Sequence, residues 1–590
     1  MVTRPPVRDV DDSDLEVSAP KRSAAGVPGV LTALKMAVDQ MGVVRTARTL
    51  LRVNQDDGFD CQGCAWPDPP AGHRHTAEFC ENGAKAVAEE ATVRRVGPEF
   101  FAEHPISDLA ERSGYWLGQQ GRLTDPVVRR AGSDHYEPIS WDDAFAMVGR
   151  HLNALGSPDE ATFYTSGRTS NEAAFAYQLF ARAYGTNNLP DCSNMCHEST
   201  SVALAETIGI GKGSVSLEDV HEAELIVITG QNPGTNHPRM LTALERAKKN
   251  GAKILAVNPL REAGLTRFHN PQNPRGLVTG TALADLHLPV RVNGDLALFQ
   301  AIGHLVLAAE DTAAAAGRPG AVADLEFITR HTTGFEAWAE HVRALDWDVV
   351  LESTGLSMDQ IEDAAAMFLE AGSVVHCWAM GITQHKNAVG TIKEFVNLAL
   401  LTGDIGRPGA GLCPVRGHSN VQGDRTMGIW DRPPVWFLDA LQREFGFDPP
   451  REHGLDTVDS IRALRDGQAH VFVGMGGNFV SATPDTEVTE GALRNAALTV
   501  QVSTKLNRSH AVCGEEALIL PALGRTEIDR TGGTEQKVTV EDSMSSVHAS
   551  RGRGAPAATH QRAAGAGGSP KPPAPRGGPG GRAGAAGRPP

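Results

Sequence analysis

Two cysteines and a histidine stand close together in the segment DCSNMCHEST, residues 191–200. Cys192 and Cys196 are four residues apart, and His197 directly follows the second cysteine. A thiol beside an imidazole can bind a metal as thiolate, act as a nucleophile that the imidazole activates, or be an ordinary buried cysteine with a polar neighbour. The residue types alone leave these three chemistries open.

A second group of cysteines lies nearer the N-terminus. Cys61 and Cys64 form a C-x2-C pair in the loop GFDCQGCAWPDP, and Cys80 begins a predicted helix. Such a pair directs two sulfurs at one metal ion or at one face of an iron–sulfur cluster, and a complete site needs a fourth ligand. The loop also contains side chains that could complete a site: Asp68, His73 and His75. The spacing leaves an iron–sulfur cluster, a zinc site and a loop without metal open.

Apolar strands alternate with helices through most of the chain, and polar loops rich in glycine follow several strands. Examples are AELIVITGQNPG (223–234), SVVHCWAMGITQH (373–385) and HVFVGMGGNF (470–479). This alternation predicts an α/β fold with parallel sheets that are buried on both faces. Ligands of such sheets bind beyond the carboxyl ends of the strands, at glycine-rich turns and helix N-termini. Because none of the turns is a G-x-G-x-x-G fingerprint, a larger nucleotide-bearing cofactor is favoured over NAD.

Length and composition restrict the class of protein. A chain of 590 residues with 41% hydrophobic and 5% aromatic residues predicts a large α/β protein of several domains. The formal net charge of −16 argues against nucleic-acid binding. No apolar run approaches the roughly 20 residues that span a membrane. The N-terminus lacks the apolar core of a signal peptide, so we expect a cytoplasmic protein whose eight cysteines are mostly reduced.

Three segments resemble one enzyme family. LALLTGDIGRPGAGLCPVRGHSNVQGDRTMG (398–428) is similar to the signature of molybdopterin-guanine-dinucleotide oxidoreductases of the formate dehydrogenase-like group. DCSNMCHESTSVAL (191–204) resembles the segment in which that group carries its molybdenum ligand, a Cys or selenocysteine followed by His. The cysteine loop resembles formate dehydrogenase-like α-subunits of a branch associated with acid resistance. The resemblance extends from about residue 42 to about residue 544 and implies a multi-domain enzyme with parallel Rossmann-like sheets.

The resemblance assigns roles to individual residues. It implies molybdenum held by two molybdopterin guanine dinucleotides, with Cys196 as metal ligand and His197 as proton acceptor or electrostatic partner. It places an iron–sulfur cluster of the 4Fe-4S type on Cys61, Cys64 and Cys80, although one cysteine of the usual four is missing. It expects the cofactor to contact residues of the strand ends and glycine-rich turns: Gln231, Asn232, Gly234, His237, Asn258, Asp295, Gly381, Gln384, Gly423, Gly476 and Asn478. Asp295 is the expected partner of the guanine ring, because one carboxylate can accept hydrogen bonds from the ring N–H and the amino group at the same time.

Two positions depart from the family pattern. The family lysine that relays electrons between cluster and pterin corresponds to Asn82, and Lys85 is the nearest lysine. The family arginine that pairs with formate corresponds to Lys393, which keeps the charge but lacks the planar fork of a guanidinium. The resemblance therefore implies a two-electron reaction on a small-molecule substrate, with formate, another small oxyanion and an aldehyde all open. It also implies an electron-transfer partner subunit as acceptor.

We predict five regions along the chain. They are a disordered lead-in (1–41), a cysteine-loop domain (42–115), an α/β domain in two pieces that partly joins it (116–192 and 396–550), a pterin-dinucleotide-binding α/β domain (193–395), and a low-complexity tail (551–590).

The tail differs in composition from the rest of the chain. Of its 40 residues, 35 are Gly, Ala, Pro or Arg, which cannot build a core. Because these are residues of GC-rich codons, we interpret the tail as a GC-rich gene read out of frame, with a genuine flexible tail as the alternative. The β-rich cap domain of the family is expected after Met544, where the resemblance ends, which predicts a truncated, inactive form. The alternative to an enzyme is a non-catalytic remnant of the family without cofactor.

Overall fold

The computed structural model describes residues 16–530 and 533–559 of the chain. The start of the predicted lead-in (1–15) and most of the predicted tail (560–590) lie outside the described residues. The described part is a multi-domain α/β protein with parallel sheets, which confirms the predicted fold class.

The strands of the described residues are β1 (Ala24–Ala25), β2 (Arg95–Val96), β3 (Arg122–Leu123), β4 (Val127–Arg129), β5 (Glu137–Pro138), β6 (Ala161–Thr165), β7 (Leu225–Thr229), β8 (Lys253–Val257), β9 (Phe268–His269), β10 (Leu286–Leu288), β11 (Val374–Trp378), β12 (Gly411–Pro414), β13 (Val471–Met475), β14 (Leu498–Ser503), β15 (Glu516–Pro521), β16 (Val538–Glu541) and β17 (Val547–Ser550).

The helices of the same residues are α1 (Gly26–Met41), α2 (Val43–Leu50), α3 (Glu81–Glu90), α4 (Pro98–Glu103), α5 (Ile106–Glu111), α6 (Gly114–Gln119), α7 (Trp141–Ala154), α8 (Asn171–Tyr184), α9 (Cys192–Cys196), α10 (Glu198–Thr207), α11 (Leu217–Glu222), α12 (Pro233–Asn236), α13 (Pro238–Lys249), α14 (Ala263–Thr266), α15 (Pro274–Thr279), α16 (Asp295–Ala315), α17 (Leu325–His331), α18 (Phe335–Arg343), α19 (Trp347–Thr354), α20 (Met358–Glu370), α21 (Met380–Thr383), α22 (Ala388–Leu401), α23 (Val421–Thr426), α24 (Val435–Phe445), α25 (Thr457–Arg465), α26 (Phe479–Ala482) and α27 (Thr486–Arg494).

Within the described residues, five parallel strands form what we call the inner sheet, in the order β10–β8–β7–β11–β12. Strand β7 is buried along its whole length, with Leu225 and Val227 in the apolar core on one face and Ile226 and Ile228 in the core on the other. Helices α16, α20 and α22 cover the first face, and α11 and α13 cover the second. Two covered faces explain why the strands are continuously apolar.

The outer sheet has six strands in the part of the chain that the structure describes, in the order β5–β4–β15–β14–β13–β6. Strands β6, β13, β14 and β15 are parallel, while β4 and β5 add an antiparallel edge. Strand β6 precedes the inner sheet in the chain and β13 follows it, yet the two are hydrogen-bonded neighbours, with Phe163 opposite Val473. The inner sheet is therefore an insertion between two adjacent strands of the outer sheet.

The predicted domain boundary between residues 395 and 396 is wrong. It cuts helix α22 and separates β12 from the inner sheet, although β12 pairs with β11 and places Leu412 opposite His376. The sequence signal was weak here because β12 is only four residues long and lies among Gly and Pro. The inserted unit therefore continues to about Pro414.

The predicted disordered lead-in contains helix α1, so the prediction is wrong for residues 26–41. Ala33, Ala37 and Met41 recur at helical spacing and are buried in one core with residues of helix α3. These small side chains give only a weak hydrophobic pattern in the sequence. The charged residues that precede them made the whole segment resemble a disordered one in composition. Packing against α3 provides the stability that a single short helix lacks.

The first nine residues of the predicted low-complexity tail are packed against the fold, so the boundary at residue 551 is also wrong. The Arg551 N–H donates to the carbonyl of Gly58 at 2.8 Å, and the Thr559 N–H donates to the carbonyl of Thr124 at 2.8 Å. Ala557 is fully buried, and its N–H donates to a carboxylate oxygen of Glu527 at 2.7 Å. Backbone hydrogen bonds need no particular side chain, so composition did not reveal this packing.

No single helix of the described residues is long and apolar enough to cross a membrane. Helices α1 and α2 together reach the necessary length and composition, but the chain bends by 117° between them.

Candidate cofactor and metal site

Helix α9 carries Cys196 at its C-terminal end and is anchored at its N-terminal end. Asp191 caps the helix through a capping box with Asn194. The guanidinium of Arg425 donates to both oxygens of Asp191, at 2.8 and 3.1 Å, and the hydroxyl of Thr457 donates to its carbonyl at 3.1 Å. Burial raises the pKa of Asp191 to about 6, and the charge of Arg425 opposes the rise. These contacts fix where Cys196 lies.

The Cys196 thiol is buried, at 7% exposure. Burial raises its pKa, and the charge of Arg416 and the N–H of Gly417 oppose the rise. The Cys196 carbonyl accepts a hydrogen bond from the hydroxyl of Thr383 at 2.6 Å and one from the amide of Gln384 at 3.3 Å. A buried thiol with a raised pKa is a poor nucleophile at neutral pH, whereas a bound metal enforces the thiolate form. The environment therefore favours a metal ligand over a nucleophile.

His197 is fully buried next to Cys196. Its Nδ1 lies 3.0 Å from the hydroxyl of Thr200, which also accepts the indole N–H of Trp378 at 3.0 Å. Its Nε2 has no hydrogen-bond partner among the described residues. Burial lowers the pKa of His197 well below its usual value, and the charge of Arg416 lowers it further. The ring is therefore neutral and has one nitrogen open to a ligand.

Arg416, which was not predicted as a site residue, interacts electrostatically with both Cys196 and His197. It is 1% exposed; its Nε donates to Gln422 at 3.0 Å and its Nη2 to the carbonyl of Gly211 at 2.7 Å. No described residue accepts a hydrogen bond from Nη1. Burial lowers the Arg416 pKa to about 10, so the group remains charged at neutral pH. The sequence signal was present, because Arg416 belongs to the PVRG part of the family-like segment.

More buried polar atoms on these loops lack partners within the described residues. They are Nδ1 of His237, Oε1 of Gln231, Oγ of Ser193 and both carboxylate oxygens of Asp424. Native proteins leave few buried polar atoms unpaired, so such a set needs an explanation. A polar cofactor that supplies the missing donors and acceptors provides one. The residues present therefore fit a polar cofactor with both donors and acceptors, as the pterin cofactor implied by the resemblance has.

Most predicted cofactor residues lie together beyond the carboxyl ends of the inner-sheet strands. Those that follow β7, β8 and β11 are Gln231, Asn232, Gly234, His237, Asn258, Gly381 and Gln384. Asn232 and Asn258 donate to the same carboxylate, that of Glu262, at 2.5 and 2.9 Å. His237 Nε2 lies 2.9 Å from the carbonyl of Arg416, which follows β12. The structure thus brings these residues to one edge of the sheet, as the strand pattern predicts.

Two of the predicted glycines lie where backbones touch. A Cβ atom at Gly381 would lie 2.4 Å from the carbonyl oxygen of Gly230, to which the Gly381 N–H donates at 3.0 Å. A Cβ atom at Gly234 would lie 3.0 Å from the Cα of Gly264. Packing between the turns after β7 and β11, and between α12 and α14, accounts for these glycines without a cofactor.

Gly423, Gly476 and Asn478 form a second group. Gly476 and Asn478 follow β13 of the outer sheet, and Gly423 lies in helix α23. A Cβ atom at Gly423 would lie 2.1 Å from Oδ1 of Asn420, and Gly476 has a φ of +70°. Asn478 accepts a hydrogen bond from Ser509 at 3.4 Å and begins helix α26. These contacts supply structural reasons for all three residues.

Asp295 begins helix α16 and is 3% exposed. Burial raises the pKa of its carboxyl to about 7, and Nδ1 of His385 lies 3.7 Å from one of its oxygens. This buried carboxyl is chemically suited to accept N–H groups, because donors from a ligand would offset the cost of its desolvation.

Lys393 pairs with Glu206 at 2.5 Å, across the contact between helices α22 and α10. The two side chains are 38% and 54% exposed. Arg416 is therefore the buried cation next to Cys196, whereas Lys393 is held in a half-exposed ion pair.

Cys61, Cys64 and Cys80 line one cavity of about 410 Å³. Cys61 and Cys80 accept the N–H groups of Gly63 and Gly83 at 3.3 Å. Burial raises the pKa of all three thiols, that of Cys64 to about 12. The three sulfurs do not all lie within 4.8 Å of one another. At least one pair of these sulfurs is therefore more than 4.8 Å apart.

None of the side chains proposed from the sequence as a fourth ligand lines this cavity. Asp68 pairs with Arg239 at 2.8 Å, and His73 and His75 are exposed. Arg239 itself lines the cavity and carries a positive charge beside the cysteines, held by Asp68 and Glu78.

The positions expected to relay electrons are both engaged with neighbours. Asn82 donates to the carbonyl of Thr235 at 2.5 Å, and Lys85 pairs with Glu81 at 2.5 Å. Asn82 lines the cysteine cavity and has no charge, whereas Arg168 and Arg239 supply positive charge there.

The cysteine cavity is shared with the loops around Cys196. His237, Gly417 and His418 line it together with the three cysteines. Nδ1 of His418 lies 2.8 Å from the sulfur of Cys192, so Cys192 has a specific polar partner that the sequence did not reveal. His418 thus contacts Cys192 and also lines the cavity of the three cysteines.

Comparison with known proteins places the chain in a family. Residues 122–532 match the family model described as molybdopterin oxidoreductase. An uncharacterized oxidoreductase of Mycobacterium tuberculosis strain H37Rv is 59% identical over 551 residues, covering 93% of this chain and 70% of the relative. Formate dehydrogenase H of Escherichia coli K12 is 33% identical over 312 residues, covering 52% of this chain and 40% of that enzyme. The chain therefore belongs to the molybdopterin oxidoreductase family.

A solved structure supports the fold. Acetylene hydratase from Pelobacter acetylenicus superposes with a TM-score of 0.52 at 18% sequence identity. The match covers 67% of this chain and 55% of the hydratase, so the chain corresponds to little more than half of that protein. Together with the family match, these findings confirm the family that the segments around Cys196 and Arg416 indicated.

Proposed function

We propose that this chain is the catalytic part of a molybdenum oxidoreductase that removes two electrons from formate or another small oxyanion or aldehyde. The observation that carries the proposal is the buried, partly unpaired group of Cys196, His197 and Arg416. Membership in the molybdopterin oxidoreductase family supports the cofactor, and similarity to formate dehydrogenase H supports the substrate class.

Cys196 is proposed as the protein ligand of the molybdenum. When bound, the molybdenum cofactor with its two pterin guanine dinucleotides accepts the two electrons of the reaction. The thiol needs a metal to become a thiolate in its buried position, and the charge of Arg416 lowers the cost of that change. The hydrogen bonds of Thr383 and Gln384 to the Cys196 carbonyl hold the backbone in place.

His197 and Arg416 are proposed to handle the proton and the substrate. His197 is neutral because burial and the charge of Arg416 disfavour its protonated form, so its Nε2 is a weak base that can hold the substrate proton only in transit. Arg416 Nη1 can donate to a substrate oxygen, because the guanidinium is charged and has one nitrogen unused among the described residues. Arg416 thus replaces Lys393 as our candidate for substrate binding.

Cys61, Cys64 and Cys80 are proposed to bind an iron–sulfur cluster with three protein thiolates. Their shared cavity supports a cluster, and the positive charge of Arg239 favours an anionic one. Electrons would leave the Cys196 site through the loops that line this cavity.

Molybdenum and iron quantification on anaerobically purified protein tests the proposal. We expect about one molybdenum per chain in the wild type, loss of molybdenum in Cys196→Ser, and retention in the control Cys513→Ala, whose thiol contacts Tyr136 elsewhere. Formate- or aldehyde-dependent reduction of a viologen should follow the molybdenum content. If the protein contains no molybdenum despite full cofactor supply, the proposal is refuted. The alternative, a non-catalytic remnant of the family, is then favoured.

A further inference from the structure

A second cavity, which we call the α2 cavity, lies beside helix α2. Its volume of about 840 Å³ is within the range of pockets that hold small molecules, roughly 300–1,000 Å³. Its lining comes from three parts of the chain, within residues 41–59, 91–93 and 526–555. The α2 cavity shares no lining residue with the cavity of the three cysteines, so it is a separate site.

Arginines form one wall of the α2 cavity. Arg45, Arg48 and Arg52 are three and four residues apart, which places them on one side of α2 and of the turn that follows it. Within the part of the chain that the structure describes, none of these three side chains forms a hydrogen bond or an ion pair. A fourth arginine of the lining, Arg553, pairs with Asp57 at 3.2 Å. Because no described Asp or Glu lines the cavity, its wall carries unbalanced positive charge.

The charge of Arg45 is not neutralised by its surroundings. Glu527 interacts electrostatically with Arg45, but its carboxylate pairs with Arg122 at 2.8 Å and accepts the N–H groups of Gly524 and Ala557 at 2.9 and 2.7 Å. Burial lowers the pKa of Arg45, which means that water solvates its charge incompletely. A partly buried cation of this kind is stabilised by a counter-ion, and an anion in the cavity would supply one.

A buried hydroxyl is an independent sign of a ligand. Thr526 lines the α2 cavity and is 4% exposed, and its Oγ1 has no hydrogen-bond partner among the residues that the structure describes. Its backbone is fully paired, since its N–H donates to Glu90 at 2.8 Å and its carbonyl accepts the N–H groups of Arg553 and Gly554 at 3.0 and 2.8 Å. Buried hydroxyls normally have a partner, so we expect a ligand atom opposite this one.

Much of the remaining lining is apolar. Met41, Phe59 and Val93 contribute to it, and Val43 and Val44 line the cavity although they are 71% and 64% exposed. Covering exposed apolar surface is favourable, and a bare inorganic anion cannot do so. The lining therefore suits a ligand that joins a charged group to an uncharged one.

We propose that the α2 cavity binds a diphosphate group, which the apolar lining indicates is carried by a nucleotide. The forked N–H groups of Arg45, Arg48 and Arg52 donate to phosphate oxygens, and the hydroxyl of Thr526 donates to another. The arginines extend over seven residues, roughly 10 Å along a helical path, so two linked phosphates fit them better than one. The nucleoside covers Val43 and Val44. This inference does not depend on the proposed function, because none of these residues belongs to the Cys196 site.

Calorimetric titration of the anaerobically purified holoprotein with ADP tests the proposal. We expect micromolar binding at low salt that weakens when salt is raised, because the contacts are ionic. Changing Arg48 and Arg52 together to Gln should weaken ADP binding by at least about tenfold. Thr526→Val, which keeps the shape and removes the hydroxyl, should weaken it by about tenfold.

Two control variants are matched to these changes. Arg318→Gln removes the charge of an exposed arginine elsewhere. Thr46→Val removes another buried hydroxyl without a hydrogen-bond partner, on α2 itself but outside the lining of the cavity. Both controls should bind ADP as the wild type does.

The source of the diphosphate is distinguished by titrating inorganic diphosphate and adenosine in parallel. Weaker binding of inorganic diphosphate than of ADP supports a nucleotide, and equal binding supports inorganic diphosphate as the ligand. The proposal is overturned if neither compound binds, if adenosine binds as tightly as ADP, or if the variants at Arg48, Arg52 and Thr526 bind ADP like the wild type. Preferential binding of phosphatidylserine vesicles, lost in the same variants, also overturns it.

Failure of the proposed function would give a different result. An empty cofactor site could also take up ADP, but that binding would persist in the Arg48 and Arg52 double variant, whereas binding in the α2 cavity would not. All variants of the α2 cavity should keep wild-type viologen-linked activity, because the cavity shares no residue with the Cys196 site.

Discussion

Two buried arginines should respond very differently to replacement by methionine. Arg122 and Arg416 are each 1% exposed. Arg122 pairs with the carboxylate of Glu527 at 2.8 Å and donates to the carbonyls of Thr504, Glu90 and Ala522 at 2.8–2.9 Å. Arg416 has no carboxylate partner at ion-pair distance within the described chain and leaves Nη1 unpaired. Arg122 is therefore a structural residue. We expect Arg416 to destabilise the fold as long as no ligand is bound.

The expected magnitudes follow from these contacts. Arg122→Met leaves the buried carboxylate of Glu527 without its ion-pair partner, which costs about 3–5 kcal/mol. Arg416→Met loses two hydrogen bonds worth about 1.5–3 kcal/mol each. It also removes a buried charge, whose desolvation penalty is several kcal/mol, and an unpaired N–H. These contributions nearly cancel, so the stability of the cofactor-free protein should change by less than about 2 kcal/mol.

Thermal unfolding of cofactor-free protein measures the difference. At roughly 2 °C per kcal/mol for a large domain, Arg122→Met should lower the unfolding temperature by about 6–10 °C and Arg416→Met by less than about 4 °C. Molybdenum content should show the reverse order, with Arg416→Met losing the metal. If Arg416→Met destabilises the cofactor-free protein as much as Arg122→Met does, Arg416 is structural and our assignment to the site is refuted.

Further predictions concern the carboxyl at the start of α16 and the contact between two turns. Burial raises the pKa of Asp295 from 3.8 to about 7, so the folded protein retains a proton that the unfolded chain has lost between these values. The carboxyl therefore destabilises the fold increasingly as pH rises from about 4 to about 7, by at most about 4 kcal/mol. Asp295→Asn should raise the unfolding temperature at pH 8 and leave it nearly unchanged at pH 4; equal effects at both values would contradict this. Gly381→Ala should cost about 1–3 kcal/mol, because the new Cβ would lie 2.4 Å from the Gly230 carbonyl oxygen. The control Gly390→Ala, in a helix and 3.9 Å from its nearest neighbour, should be neutral or stabilise by up to about 1 kcal/mol. Urea unfolding of both glycine variants distinguishes the two cases, and a tolerated Gly381→Ala would mean that the turns can separate.

Sequence patterns predicted several strands and the edge of the sheet at which polar loop residues gather. The apolar runs in AELIVITGQNPG, SVVHCWAMGITQH and HVFVGMGGNF are strands β7, β11 and β13. Continuous apolar stretches of five residues are strong signals because both faces of a parallel sheet are buried. The gathering of Gln231, His237 and Gln384 at one edge follows from the common direction of the strands.

Other features could not be predicted, because they depend on contacts between distant parts of the chain. The pairing of Cys192 with His418 joins residues 226 positions apart. The unpaired state of Arg416 Nη1 is a property of the folded interior and has no trace in residue order. The exposed apolar residues of helix α1, among them Val27, Leu31 and Leu34, were missed because the usual relation between apolar residues and burial fails there.

The insertion of the inner sheet between β6 and β13 has a consequence for the order in which the molecule forms. Strand β6 must wait for some 300 residues of chain before its neighbour β13 exists, and closing so long a loop is slow. The inserted unit can complete its own sheet earlier, since its strands lie within residues 225–414. Asp191, just before Cys196, bridges to β6 at Thr165, whereas Arg416 follows β12 of the inserted unit. The segment that carries Cys196 is therefore anchored to the outer sheet on one side and to the inserted unit on the other, so a local separation of the two units would disturb the site.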